Sequence, residues 1–135
     1  MSNNQIKKGS TIAARILLGL IYAVFGLNYF LHFIPAPPPQ GHAEAFVSGL
    51  FQSGYFFPFL KTLEILLGVF LLAGIFVPLS LVLLMPISLN IALFHVFLSP
   101  EGIGLTVLIL ALHFFLAWRY RDYYKQLFIP RAIAV

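Results

Sequence analysis

Four apolar runs, residues 11–34, 57–76, 79–98 and 102–118, fill most of this 135-residue chain. Each is close to the ~20 residues that cross a ~30 Å hydrocarbon core at ~1.5 Å per residue. No water reaches that core to satisfy backbone N–H and C=O groups, so runs of this length are expected to be helices. The constraint predicts a single-domain, all-α integral membrane protein, a four-transmembrane-helix bundle. Composition agrees: hydrophobic residues make up 61% and charged residues only 9%, with a mean hydropathy of +0.97. A soluble domain carries about 25% charge, and this chain has too little to cover a water-facing surface. The first run follows Lys7 and Lys8, as in a signal peptide. It is longer than such a segment's apolar stretch and no small-residue cleavage site follows it, so it is read as a retained span.

The distribution of Lys and Arg predicts orientation. Lys7, Lys8 and Arg15 flank the first span, and Arg119, Arg121, Lys125 and Arg131 follow the fourth. The long connection 35–56 and the short one 99–101 contain neither residue type. By the positive-inside rule both termini are cytoplasmic and these two connections face outward, in a cell inner (cytoplasmic) membrane. Residues 1–10 are read as an N-terminal tail, 11–118 as the membrane domain and 119–135 as a basic C-terminal tail. Trp118, Tyr120, Tyr123 and Tyr124 form an aromatic belt beside the cytoplasmic arginines. The net charge of +4 thus serves topology, and no nucleic-acid partner is expected. The partner implied by composition is the lipid bilayer.

The connections carry their own signals. Ser99-Pro100 predicts a serine N-cap ahead of an N1 proline at the start of the fourth helix. Pro58 opens the second, Pro78 lies in the tight turn before the third, and Pro86 is expected to kink the third. The run Pro35 to Pro39 must be extended. Beyond it Ala43, Phe46, Val47, Leu50 and Phe51 recur at helical spacing, with Glu44, Ser48 and Gln52 opposite. That pattern predicts a short amphipathic helix in the outward first connection, lying over the bundle mouth or resting on headgroups.

Against this background the polar residues inside the spans stand out. Lys61 and Glu64, three residues apart, lie one to two turns from the outer end of the second span. Asn28 and His32 occupy the outer half of the first span, and Asn90 and His95 that of the third. Three helices thus place six polar side chains at similar depth. Lys61, Glu64 and Gly68 share one stripe, as do Asn28 and His32, whereas Asn90 and His95, five apart, point in different directions. In the inner half only His113 stands alone and is read as a hydrogen-bonded core histidine. Glycines 19, 26, 68 and 74 are expected to permit close helix packing.

Two readings of the cluster follow. In one, Lys61 neutralises Glu64 or snorkels outward, while the asparagines bond between helices. In the other, ionisable groups in a span mark a site, because a buried ion pair contributes little stability by itself. Such a site relays protons or binds a polar headgroup such as a quinone carbonyl, with Glu64, Lys61 and His95 as candidate catalytic groups. Asn28, His32, Lys61, Glu64, Asn90 and His95 are its candidate ligand-binding residues. Histidines so near the outer edge argue against bis-histidine haem. No metal site is read, and the lack of cysteine excludes disulfides, thiol relays and thiolate metal ligands.

The stretches "GLNYFLHFIPAPPP", "GYFFPFLKTLEILLGVFLL", "FVPLSLVLLMPISLNIALFHVFLSPEG" and "LAWRYRDYY" resemble the DoxX-like family of small four-span membrane proteins, over nearly the whole of residues 15–124. The resemblance singles out Asn28, the proline run, Lys61, Glu64, Asn90 and His95. It implies a membrane subunit of a redox or oxidative-stress system. Some relatives are subunits of thiosulfate:quinone oxidoreductase. Others are linked to complexes with superoxide dismutase and a sulfurtransferase, and distant ones resemble receptor-assembly chaperones. The expectation is therefore a quinone-interacting oxidoreductase subunit, with redox partner proteins or a homo-oligomer as assembly. A non-catalytic scaffold, whose polar cluster only fixes packing, is the alternative. The absent cysteines count against a thiol-based role.

Overall fold

The computed structural model describes residues 2–134. Among them the ordered elements are all helical: α1 (Asn3–Leu31), α2 (His42–Gln52), α3 (Phe56–Ala73), α4 (Val77–Phe97) and α5 (Ile103–Arg119). Two 3-10 segments, Pro100–Gly102 and Arg121–Phe128, precede and follow α5. Four of these stretches, α1, α3, α4 and α5 with its 3-10 lead-in, are long and apolar enough to cross a membrane. The protein is an all-α, four-span bundle.

Helix ends follow local chemistry. The N-terminal segment read as a tail is helical, because Ser2 and Gln5 cap α1 reciprocally, each side chain bonding the other's backbone N–H. At 29 residues, α1 reaches roughly 43 Å and overshoots the hydrocarbon core. It stops at Leu31, short of the expected residue 34, where His32 turns left-handed (φ 53°) and donates its N–H to the Asn28 carbonyl. Pro58 falls in the first turn of α3, and Pro78 in that of α4, both where a missing N–H costs nothing. α4 continues through Pro86 as one helix. The Ser99 cap is not made: its hydroxyl donates to Glu101 Oε2 at 2.8 Å, and a 3-10 turn leads into α5 instead.

The spans alternate in direction, so both termini lie at one end of the bundle and α2 at the other. Arg119 of α5 confirms the closure at the terminal end, donating from Nε to Thr11 Oγ1 at 2.8 Å. The most extensive interface joins α1 to α3. It is a glycine seam: a Cβ on Gly68 would lie 2.7 Å from the Ala23 backbone nitrogen, and one on Gly19 would lie 2.8 Å from the Gly68 carbonyl oxygen. Without those Cβ atoms the two backbones touch, which is how helices associate where lipid offers no hydrophobic drive. The core running from this seam contains Leu18, Tyr22, Leu67, Leu71, Leu81, Leu84, Ile109 and Leu116. α4 packs next most closely on α5, followed by α1 on α5 and then α3 on α4. The bundle is thus two close helix pairs with crevices between them.

Candidate functional site

The crevices open toward the α2 end, and the second span's charges border them. The Glu64 carboxylate is only 2% exposed, and its Oε2 receives a hydrogen bond from Lys61 Nζ at 3.0 Å. The i,i+3 spacing on α3 makes that pairing possible. Behind the pair α1 comes close, with Gly26 lying against the Lys61 carbonyl and Ile65.

Two cavities meet at this point. The first, about 400 Å³, lies between α2, α3 and α4; Phe46, Phe57, Leu60 and Phe94 supply apolar wall, and Lys61, Glu64, Asn90 and His95 supply polarity. The second, about 340 Å³, lies among α1, α3, α4 and α5 and is bordered by Tyr22, Phe25, Leu105 and Ile109, and again by Lys61, Glu64 and His95. An outer vestibule of about 590 Å³ lies beneath the proline run, between Pro37–Pro39 and Glu101, and it too reaches His95. His95 therefore touches all three spaces.

The His95 ring is held in one orientation. Its Nδ1 lies 2.8 Å from the Ser99 carbonyl oxygen. A carbonyl only accepts, so Nδ1 carries the hydrogen and Nε2 of the neutral ring is left as an acceptor. The ring sits directly over Gly102, in the space a Cβ there would fill. Glycine at this position is what admits the imidazole.

α2 supplies the cover. Ala43 is buried, Val47 and Leu50 border the first cavity, and Phe46 packs at a tilt of 38° against Phe94 with centroids 5.9 Å apart. Phe51, placed on the apolar face by spacing, is instead 64% exposed.

The six expected residues divide. Lys61, Glu64, Asn90 and His95 come together, and Asn90 makes no side-chain hydrogen bond among the described residues. Asn28 and His32 do not join them. Asn28 Oδ1 accepts from Ile34 N at 2.6 Å while its Nδ2 donates to the Ile34 carbonyl at 3.2 Å, tying the proline run to α1. His32 is exposed at the helix end. Shared depth had grouped both with the site, but depth does not say which way a side chain turns when its helix has ended.

His113 is the hydrogen-bonded core histidine expected, but it does not stand alone. Its Nε2 lies 2.8 Å from the Leu81 carbonyl and its Nδ1 2.7 Å from Ser88 Oγ, and Ser88 in turn bonds the Tyr22 hydroxyl. All three side chains are at most 2% exposed. The carbonyl fixes every hydrogen in the chain for a neutral imidazole: Nε2–H donates to Leu81, Nδ1 accepts from Ser88, and Ser88 accepts from Tyr22. Leu81 stands one residue before the carbonyl whose helical donor Pro86 removes. Tyr22 also borders the second cavity with Glu64, so the chain begins at the site. The sequence held a weak signal for it, since a tyrosine, a serine and a histidine in mid-span each require a partner.

Fold and site together define a multi-pass membrane bundle with a polar-ended apolar pocket under an amphipathic cover helix. Comparison with protein-family models, curated proteins and solved structures returns no match.

Proposed function

We propose that this protein is a DoxX-like membrane subunit of a redox or stress-response system that binds a quinone-class molecule in the pocket between α2, α3 and α4. The observation that carries the reading is one cavity with aromatic and aliphatic walls and both kinds of hydrogen-bonding group at one end. Lys61 and the Asn90 amide offer donors to a ring carbonyl, while His95 Nε2 and the Glu64 carboxylate accept from a ring hydroxyl. A quinone and its quinol present those two faces in turn. The volume of about 400 Å³ falls in the range of small-molecule pockets, which run to roughly 300–1,000 Å³. An isoprenoid tail requires only apolar wall, which Leu50, Phe56, Ile87 and Ile91 of the same cavity supply. The resemblance to DoxX-like proteins points to the same class. By the positive-inside rule, the polybasic terminal end supports a reading with both termini in the cytoplasm and the pocket toward the outer face of an inner membrane.

The test is extraction of the purified protein with organic solvent and identification of the lipid-soluble molecule it retains. A quinone at near-stoichiometric yield is expected from the parent protein and a severalfold lower yield from Gly102→Ala, whose methyl displaces the His95 ring. Retention of ordinary phospholipid alone, equal in both proteins, refutes the assignment.

The Lys61–Glu64 pairing at 3.0 Å favours one rival, a non-catalytic scaffold in which the pair only locks helix packing. The two readings separate in a deletion strain. A folded Lys61→Met/Glu64→Gln protein that restores full function supports the scaffold, and one that fails supports the binding site.

A further inference from the structure

At the terminal end of the bundle a cradle of about 620 Å³ lies between the first turns of α1 and the last turn of α5. Four cations border it: Lys7, Lys8, Arg15 and Arg119. The chain's four acids are elsewhere. Glu44, Glu64 and Glu101 lie toward the α2 end, and Asp122 is taken by Lys125 at 2.6 Å. Among the described residues no carboxylate pairs with any cradle cation.

Two of the cations are fixed in place. Arg119 bonds Thr11 Oγ1 and reaches the Lys7 carbonyl at 3.5 Å, using Nε and one terminal nitrogen. Arg15 packs its guanidinium over the Gly74 turn between α3 and α4, and its buried Nε has no hydrogen-bond partner among the described residues. Buried polar groups are rarely left unpaired, and a fixed, uncompensated guanidinium fits an oxyanion better than a lone solvent-facing lysine does. Directly along α1 from the cradle, Ile12, Ile16 and Leu20 form an exposed stripe at four-residue spacing. The site is therefore cationic at the interface and apolar below it.

We infer that this cradle binds the phosphate of an anionic phospholipid, with an acyl chain lying along the Ile12–Ile16–Leu20 stripe. The four cations require a headgroup whose phosphate is not neutralised by choline or ethanolamine. The stripe requires a ligand carrying a hydrocarbon chain. Tyr120 and Tyr123 border the same cradle, at the headgroup level that aromatic rings favour. This assignment is independent of the quinone pocket, which lies at the other end of the bundle.

The test uses the full-length protein in a neutral detergent, titrated with phosphatidylglycerol or phosphatidylcholine and read by native mass spectrometry. Phosphatidylglycerol is expected to bind at least tenfold more tightly. Removing a cation near the headgroup plane should weaken it about fivefold, from roughly 1 kcal/mol per charge. Lys7→Gln/Lys8→Gln, both exposed positions, should then lose about twenty-fivefold, while Lys125→Gln outside the cradle should lose none. Arg15→Gln should abolish the preference, and its circular-dichroism spectrum reports whether the fold is kept. Equal binding of the two lipids, or an equal loss in Lys125→Gln, overturns the site. Displacement of phosphatidylglycerol by the same concentration of glycerol phosphate overturns the lipid assignment in favour of a soluble phosphate.

Discussion

The buried ion pair makes the sharpest energetic prediction. Lys61→Met leaves the Glu64 carboxylate without its only hydrogen-bond donor among the described residues, at a site where its side chain is 3% exposed. Removing one partner of such a pair costs about 3–5 kcal/mol, because the remaining charge is neither solvated nor paired. The Lys61 side chain is 22% exposed, so some water reaches the pair, and the lower end, about 3 kcal/mol, is expected. Glu64→Gln is milder, near 1 kcal/mol, since Lys61 lies close to the α2 end and can extend its stem toward the interface. The double variant Lys61→Met/Glu64→Gln removes both charges and should fall within about 1 kcal/mol of the parent. Its interaction energy in a double-mutant cycle is then about 3 kcal/mol. Reversible unfolding in mixed micelles, followed by circular dichroism against the mole fraction of denaturing detergent, measures all four proteins. Additive losses, with the double variant worse than Lys61→Met, would refute the claim that the pair is energetically buried.

Three further outcomes are expected. Ser88→Ala leaves the Tyr22 hydroxyl and His113 Nδ1 unpaired in the core, costing about 1–3 kcal/mol per stranded group; a thermal midpoint unchanged from the parent would contradict a buried Tyr22–Ser88–His113 chain. Tyr124, outside the spans, has a buried hydroxyl with no partner among the described residues, and burial pushes its ionisation up to about 12. Folded stability is therefore untouched by this phenol's titration below pH 10 and falls as pH rises from 10 toward 12, and Tyr124→Phe should remove that alkaline loss while leaving neutral-pH stability equal or slightly higher; an alkaline loss as steep in the variant as in the parent would count against it. Impermeant maleimide should label Glu44→Cys and not Ala132→Cys in intact cells, and the opposite pattern would reverse the orientation.

Much of the architecture was legible because lipid imposes a one-dimensional rule. A chain that must cross hydrocarbon does so in apolar helices, so run length alone located four spans, and proline positions located the starts of α3 and α4. The short helix of the first connection was equally readable from the spacing of Ala43, Phe46, Val47 and Leu50, but not whether it covers the bundle or rests on headgroups, nor that Phe51 turns outward. Where local capping competed with hydropathy, hydropathy gave the wrong boundary. Residues 3–10 are too polar to count as span, yet the Ser2–Gln5 box makes them helical. At the other end of α1 the Asn28–Ile34 exchange and the left-handed His32 stop the helix three residues early.

The sequence by itself determined which polar residues enter the membrane, and at what depth, because rise per residue converts position into height. It also determined that Lys61 and Glu64 can pair, since three residues bring side chains to one helix face. Rotation about each axis is a different quantity. It depends on which helices pack, and here the Gly19–Gly68 contact decided it by letting α1 and α3 touch. That choice turned Lys61 and Glu64 toward a crevice shared with Asn90 and His95, and brought Tyr22 within reach of Ser88 on α4 and, through it, His113 on α5. Those three residues are separated by 66 and 25 positions, too far for any local periodicity to link them. Only the packed bundle supplies the distance between them, because side-chain pairing across helices is set by backbone approach and not by sequence spacing.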